Sequence, residues 1–80
     1  MEIDNKLTAL MSRVLCVELS KIGPETSQDN TAEWDSMNHL LLITEIEKEF
    51  GVSIPIEKSI ELHSFADIRK FIQSSSHEKN

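Results

Sequence analysis

Apolar residues return at spacings of three and four in three separate stretches: Ile3, Leu7, Leu10, Met11 and Val14; then Leu42, Ile43, Ile46 and Phe50; then Phe65, Ile68 and Ile72 with Phe71 beside them. This spacing puts each set on one face of a helix. Only two Gly and two Pro occur in 80 residues, which favours helices over strands and turns. The sequence therefore predicts an all-α domain of three longer helices, about 3–18, 36–50 and 65–74. A short helix follows at about 57–62, and a long polar loop over 20–34 is anchored by Ile22. Gly23-Pro24 stops the first helix. Asp35 is a suitable N-cap for the second and Gly51 a suitable residue to close it. Val52, Ile54 and Ile56 alternate as a strand would, but no second strand is present to pair with, so an extended connector is expected ahead of the short helix. Ser64 caps the last helix, with Asp67 three residues on in a variant capping box. Residues 1–73 are expected to form one domain and 74–80 a frayed tail.

Charge narrows the class of partner. Residues 29–61 hold eight acids and two bases, which accounts for the whole net charge of −6. Phosphate binding needs a basic patch, so nucleic acid is excluded and a basic protein surface is the better match. No apolar run reaches membrane-span length, and the N-terminus "MEIDNK" is no signal peptide, so a cytoplasmic monomer is expected. The lone Cys16 rules out an internal disulfide and falls away from the apolar stripe, as an exposed thiol.

The chain carries little catalytic equipment. His39 follows Ser36 by three residues, but no Gly-x-Ser-x-Gly elbow surrounds the serine, and His39 points to the buried side of its helix. It reads as a packing or hydrogen-bonding histidine. His63 and His77 are isolated, no histidine pair has metal spacing, and residues 29–35 lack the glycine and distal glutamate of a calcium loop. No glycine-rich phosphate cradle is present. With no self-contained active site, Ser36 reads as an attachment point. A phosphate joined there would sit at the positive end of the helix dipole, near free N–H groups.

At "DSM" (35–37), "LLLITEIEKEFGVSIP" and "HSFADIRKFI" the sequence resembles the acyl carrier proteins and their peptidyl and D-alanyl relatives, over Ile3 to Ile72. That resemblance implies an acyl-carrier-like four-helix bundle that catalyses nothing. It implies that Ser36 receives 4′-phosphopantetheine from coenzyme A, that Asp35 caps the helix and contacts the phosphopantetheinyl transferase, and that the arm's thiol carries an acyl or aminoacyl thioester. The partners implied are that transferase, an acyl- or aminoacyl-loading ligase and downstream transferases of lipid or polyketide biosynthesis. Glu33-Trp34 stands before Asp-Ser where many fatty-acid carriers have a small pair, and Asn38, Leu41 and Lys48 occupy positions often acidic there. The start is more similar to carriers of specialised pathways or the D-alanyl carrier. Three readings follow: a specialised acyl carrier, an aminoacyl carrier, or a helical interaction module without cofactor.

Two further expectations concern the surface. Trp34 either packs the long loop onto the bundle or flanks the arm, and its large area favours packing. Met37 and Leu41 lie two and a half turns from Ile46 and Phe50, so they face away from the core beside Ser36. They are expected to dock partner enzymes, with Glu45, Glu47 and Glu49 adding a salt-sensitive attraction and Lys48 at the border.

Overall fold

The computed structural model describes residues 2–78, with side chains through Ser75. Among the described residues four α-helices form, α1 (Glu2–Leu15), α2 (Ser36–Phe50), α3 (Ile56–Glu61) and α4 (Phe65–Glu78), with a single 3-10 turn at Leu19–Lys21. The only sheet-like pairing among the described residues is one antiparallel bridge, Ser27 to Ser64. The all-helical bundle expected from the apolar spacing is present. The three stripes meet in one core of Leu7, Leu10, Met11, Leu15, Leu42, Ile43, Ile46, Phe65, Ile68 and Ile72, joined by Ile22, Trp34, Ile54 and Leu62. Burial of this kind contributes about 1.5–3 kcal/mol per large apolar side chain.

α2 has the expected bounds, because both its ends are marked by chemistry. The Asp35 carboxylate accepts the Asn38 N–H at 2.9 Å. Gly51 adopts φ 63°, and the Val52 N–H reaches back to the Glu47 carbonyl at 3.2 Å. This is the left-handed closure that favours glycine. α1 ends at Leu15, three residues before the expected end. There Cys16 takes φ 57° and the Val17 N–H bonds the Ser12 carbonyl at 3.2 Å. The same closure is made without a glycine, at a cost of about 1–2 kcal/mol in Cβ crowding. Cys16 is exposed, as expected.

α3 starts and stops one residue earlier than expected, with Pro55 just ahead of it. Residues 52–55 form the expected extended connector. α4 runs to Glu78, so the segment expected to fray from residue 74 is helical that far, and residues 79–80 lie outside the described residues. Ser64 caps α4, its hydroxyl accepting the Asp67 N–H at 3.1 Å. The reciprocal half of the box is replaced, since the Asp67 carboxylate lies 4.0 Å from His63 Nδ1.

Polar contacts set how the helices sit. Lys6 Nζ lies 5.2 Å from the Phe50 ring centroid, and Arg13 meets Glu45 at 3.3 Å, so α1 and α2 run antiparallel. Arg69 donates to Asp4 at 2.6 Å and joins α4 to α1. The long loop is ordered by its own side chains. Thr26 Oγ1 accepts the Gly23 N–H, and the Asn30 amide donates to the Glu25 carbonyl. The Phe65 N–H then donates to the Thr26 carbonyl at 2.8 Å and pins the loop to the start of α4. This pinning carries the chain back across the bundle to deliver residues 33–35 to the start of α2.

Candidate functional site

Three anchors hold the segment that enters α2. The Asn38 side-chain amide donates to the Glu33 carbonyl at 2.7 Å. The Gln28 amide reaches the Trp34 carbonyl at 3.4 Å. Trp34 itself is 2% exposed and lies in the core. The packing role expected of Trp34 is the one it has. Its indole N–H donates to His39 Nδ1 at 2.9 Å, so the only tryptophan of the chain is fixed in orientation as well as buried. Asp35 follows in extended geometry and caps the helix, as its type and place predict.

Ser36 is then the first helical residue, exposed, and its hydroxyl bonds to no described residue. The first N–H groups of a helix have no partner within it. Asp35 occupies that of Asn38, which leaves those of Ser36 and Met37 beside the hydroxyl. A free, solvent-facing hydroxyl at a rigid, electropositive helix start fits a phosphodiester-linked group. Ser36, held by Asp35 and Asn38, would hold such a group. No catalytic base contacts the hydroxyl: His39, three residues on, has both ring nitrogens engaged elsewhere.

The outer face of α2 carries Met37, 75% exposed, and Leu41, 54% exposed, where the helical phase puts them. Leu40 shares that face and is exposed too, a residue the sequence reading passed over although it lies one i, i+3 step from Met37. The acids beside this face are partly committed within the fold. Glu45 pairs with Arg13 and lies 3.9 Å from Lys48, and Glu47 accepts the Ile54 N–H at 2.7 Å. Glu47 thus secures the connector to α3 while still contributing its charge. Glu49 is exposed.

In the sequence Asn38 stands out only as a position often acidic in fatty-acid carriers, not as a holder of the helix start. Its signal is position: third in the helix, it presents an N–H to the cap and an amide to the incoming chain. An open cleft of about 450 Å³ between α3 and α4 is lined by Lys58, Glu61, Leu62, Asp67, Lys70 and Phe71 among others, and no expected site residue lines it. Among the described residues no group of three His, Cys, Asp or Glu side chains is placed to hold a metal ion. Among the described residues no helix is long and apolar enough to cross a membrane.

The family model described as "Phosphopantetheine attachment site" matches residues 5–72. The chain is 36% identical over 73 residues to a protein of Thermosynechococcus vestitus named acyl carrier protein, covering 91% of this chain and 90% of that one. It is 31% identical over 74 residues to the acyl carrier protein of Porphyromonas gingivalis, covering 92% and 95%. It is 32% identical over 78 residues to that of Azobacteroides pseudotrichonymphae, covering 96% and 92%.

Proposed function

The chain belongs to the acyl carrier protein family, whose members carry phosphopantetheine and are not catalysts, and from that premise we propose that Ser36 bears the arm and that the cargo belongs to a specialised biosynthetic pathway. The observation that carries the first half is the exposed, unbonded Ser36 hydroxyl at the start of α2. In the attachment step Ser36 Oγ bonds to the phosphorus of the pantetheine arm. The pyrophosphate link of coenzyme A breaks, the adenosine bisphosphate part leaves, and the hydroxyl proton passes to a base on the transferase. Asp35 holds the helix start rigid and presents a carboxylate next to the reacting oxygen. Once attached, the group supplies a terminal thiol that holds cargo as a thioester.

The family implies a phosphopantetheinyl transferase and biosynthetic enzymes as partners in general. We assign their docking to the outer face of α2. Apolar contact comes from Met37 and Leu41, joined by Leu40, and Glu45, Glu47 and Lys48 set the charge around it. The apolar character of this face supports a specialised set of partners, because an acidic helix attracts basic enzymes by charge whereas this one offers surface to bury. Mass spectrometry of the protein purified from its own cells, releasing the arm with its load, tests the cargo. Acyl groups outside the simple saturated chain-elongation series are expected. An amino acid on the arm would establish the aminoacyl carrier instead, and a plain elongation series would place the chain in ordinary fatty-acid synthesis.

A further inference from the structure

His39 lies one turn into α2 and bonds two different parts of the chain. Its Nδ1 is 2.9 Å from the indole Nε1 of Trp34. Its Nε2 is 2.8 Å from the main-chain oxygen of Ser59 on α3. An indole N–H can only donate, and a carbonyl can only accept. The ring therefore keeps Nδ1 bare and carries its proton on Nε2, the neutral tautomer fixed by its partners. The indole and imidazole planes are inclined by 29°, with centroids 6.0 Å apart, as an edge-to-edge hydrogen bond requires.

α3 depends on this contact more than a long helix would. It has six residues, and Ser59 alone among them is buried. Ile56 and Ile60 are 78% and 70% exposed. The helix is held by buried Ile54 and Leu62 at its flanks and by His39 between them. Trp34, on the other side of the ring, directly precedes Asp35 and Ser36.

We propose that His39 is a positioning residue for the reaction at Ser36: as the neutral imidazole it locks the Trp34–Asp35–Ser36 segment to α3, and a proton on Nδ1 opens the lock. The proposal rests on Ser36 being the attachment site. A proton on Nδ1 faces the Trp34 N–H, donor against donor, so that bond is lost. The Ser59 bond survives, because Nε2 still donates. The segment keeps its Asn38 and Gln28 anchors and loosens without unfolding. No charged side chain among the described residues bonds to the ring. On the elements that touch it, Asp35 caps α2, Lys58 pairs with Glu61, and Glu33 and Glu57 are exposed. Along α2 the next charged residue is Glu45, which pairs with Arg13.

Trp34 is the only tryptophan, so its emission reads the lock without a label. On acidification, over the span in which far-ultraviolet circular dichroism holds steady, the emission should drop. A protonated imidazole against an indole quenches it. The drop should vanish in His39→Gln and persist in His63→Gln. Attachment of phosphopantetheine by a broad-specificity transferase with coenzyme A, at the alkaline end of that span, gives the second readout. Trp34→Phe, which keeps an aromatic side chain and loses the N–H, and His39→Gln should each lower kcat/KM about three- to tenfold, the scale of one hydrogen bond. The double variant should be no slower than the slower single, and His63→Gln should match the unaltered protein. Emission that is flat with pH, or that falls equally in His39→Gln, overturns the lock, as does Trp34→Phe reacting at the full rate. Absence of attachment to the unaltered protein instead refutes the Ser36 reading and with it the role of His39 there, whatever the emission shows.

Discussion

Asp35 caps α2, and the function proposed for Ser36 gives it a second role at the transferase; two substitutions divide the two. Its carboxylate accepts the Asn38 N–H at 2.9 Å from an extended backbone, φ −91° and ψ −177°. Asp35→Ala removes that acceptor, at about 0.5–2 kcal/mol for a lost N-cap. It also removes a negative charge from the positive end of α2, worth about 0.3–1 kcal/mol at an exposed site. The cost together is about 0.8–3 kcal/mol. A domain of this length has a stability of about 4–12 kcal/mol, so the variant stays folded. Each kcal/mol moves the midpoint by about 4–8 °C at this size, which predicts a fall of about 3–24 °C in a thermal melt followed by circular dichroism. Asp35→Asn keeps a capping oxygen and loses only the charge, so its melt should fall by only about 1–8 °C. Attachment of phosphopantetheine should nonetheless slow in both variants, because the transferase meets the carboxylate and not merely an oxygen. An unchanged melt in Asp35→Ala would show that another group closes the helix. An Asn variant modified at the full rate would show that the charge plays no part in the reaction.

Leu41→Glu should leave the melt within about 0.5 kcal/mol of the original, as exposed positions do, yet weaken binding to the cognate loading enzyme even at high salt; an unfolded variant would put Leu41 in the core, and unaltered binding would make the outer face of α2 incidental. Cys16→Gly should raise stability by about 1 kcal/mol in urea denaturation, because the left-handed turn after α1 holds a residue with a Cβ. A loss of stability there would mean that the Cys16 side chain contributes more than its strain costs.

The parts of the fold legible in the sequence are those where a side chain announces its own job. Asp35 and Gly51 mark both ends of α2, and its bounds follow to the residue. α1 ends at Cys16, a residue type that gives no sign of left-handed backbone, so its end was placed too late. α4 outlasts its apolar stripe, and polar Ser74 and Ser75 continue it without any periodic signal. The Asp35 cap, with Ser36 as the first residue of α2, was readable from three residues in context. The exposed phase of Met37 and Leu41 was readable from 3.6-residue geometry. Two other features were not. His39 bonds a carbonyl twenty residues away, and a carbonyl has no letter in the sequence. Glu47 stands among surface acids and instead accepts a main-chain N–H of the connector, a partner that is likewise invisible in side-chain patterns.

Intact-mass measurement after incubation with coenzyme A and a broad-specificity phosphopantetheinyl transferase tests the central claim most directly. The protein should gain the mass of one phosphopantetheine, with peptide mapping placing it on Ser36. Ser36→Ala, at an exposed position whose hydroxyl holds nothing in the fold, should remain fully helical and gain none. A second addition, addition to the Ala variant, or no addition to the folded unaltered chain would contradict the account.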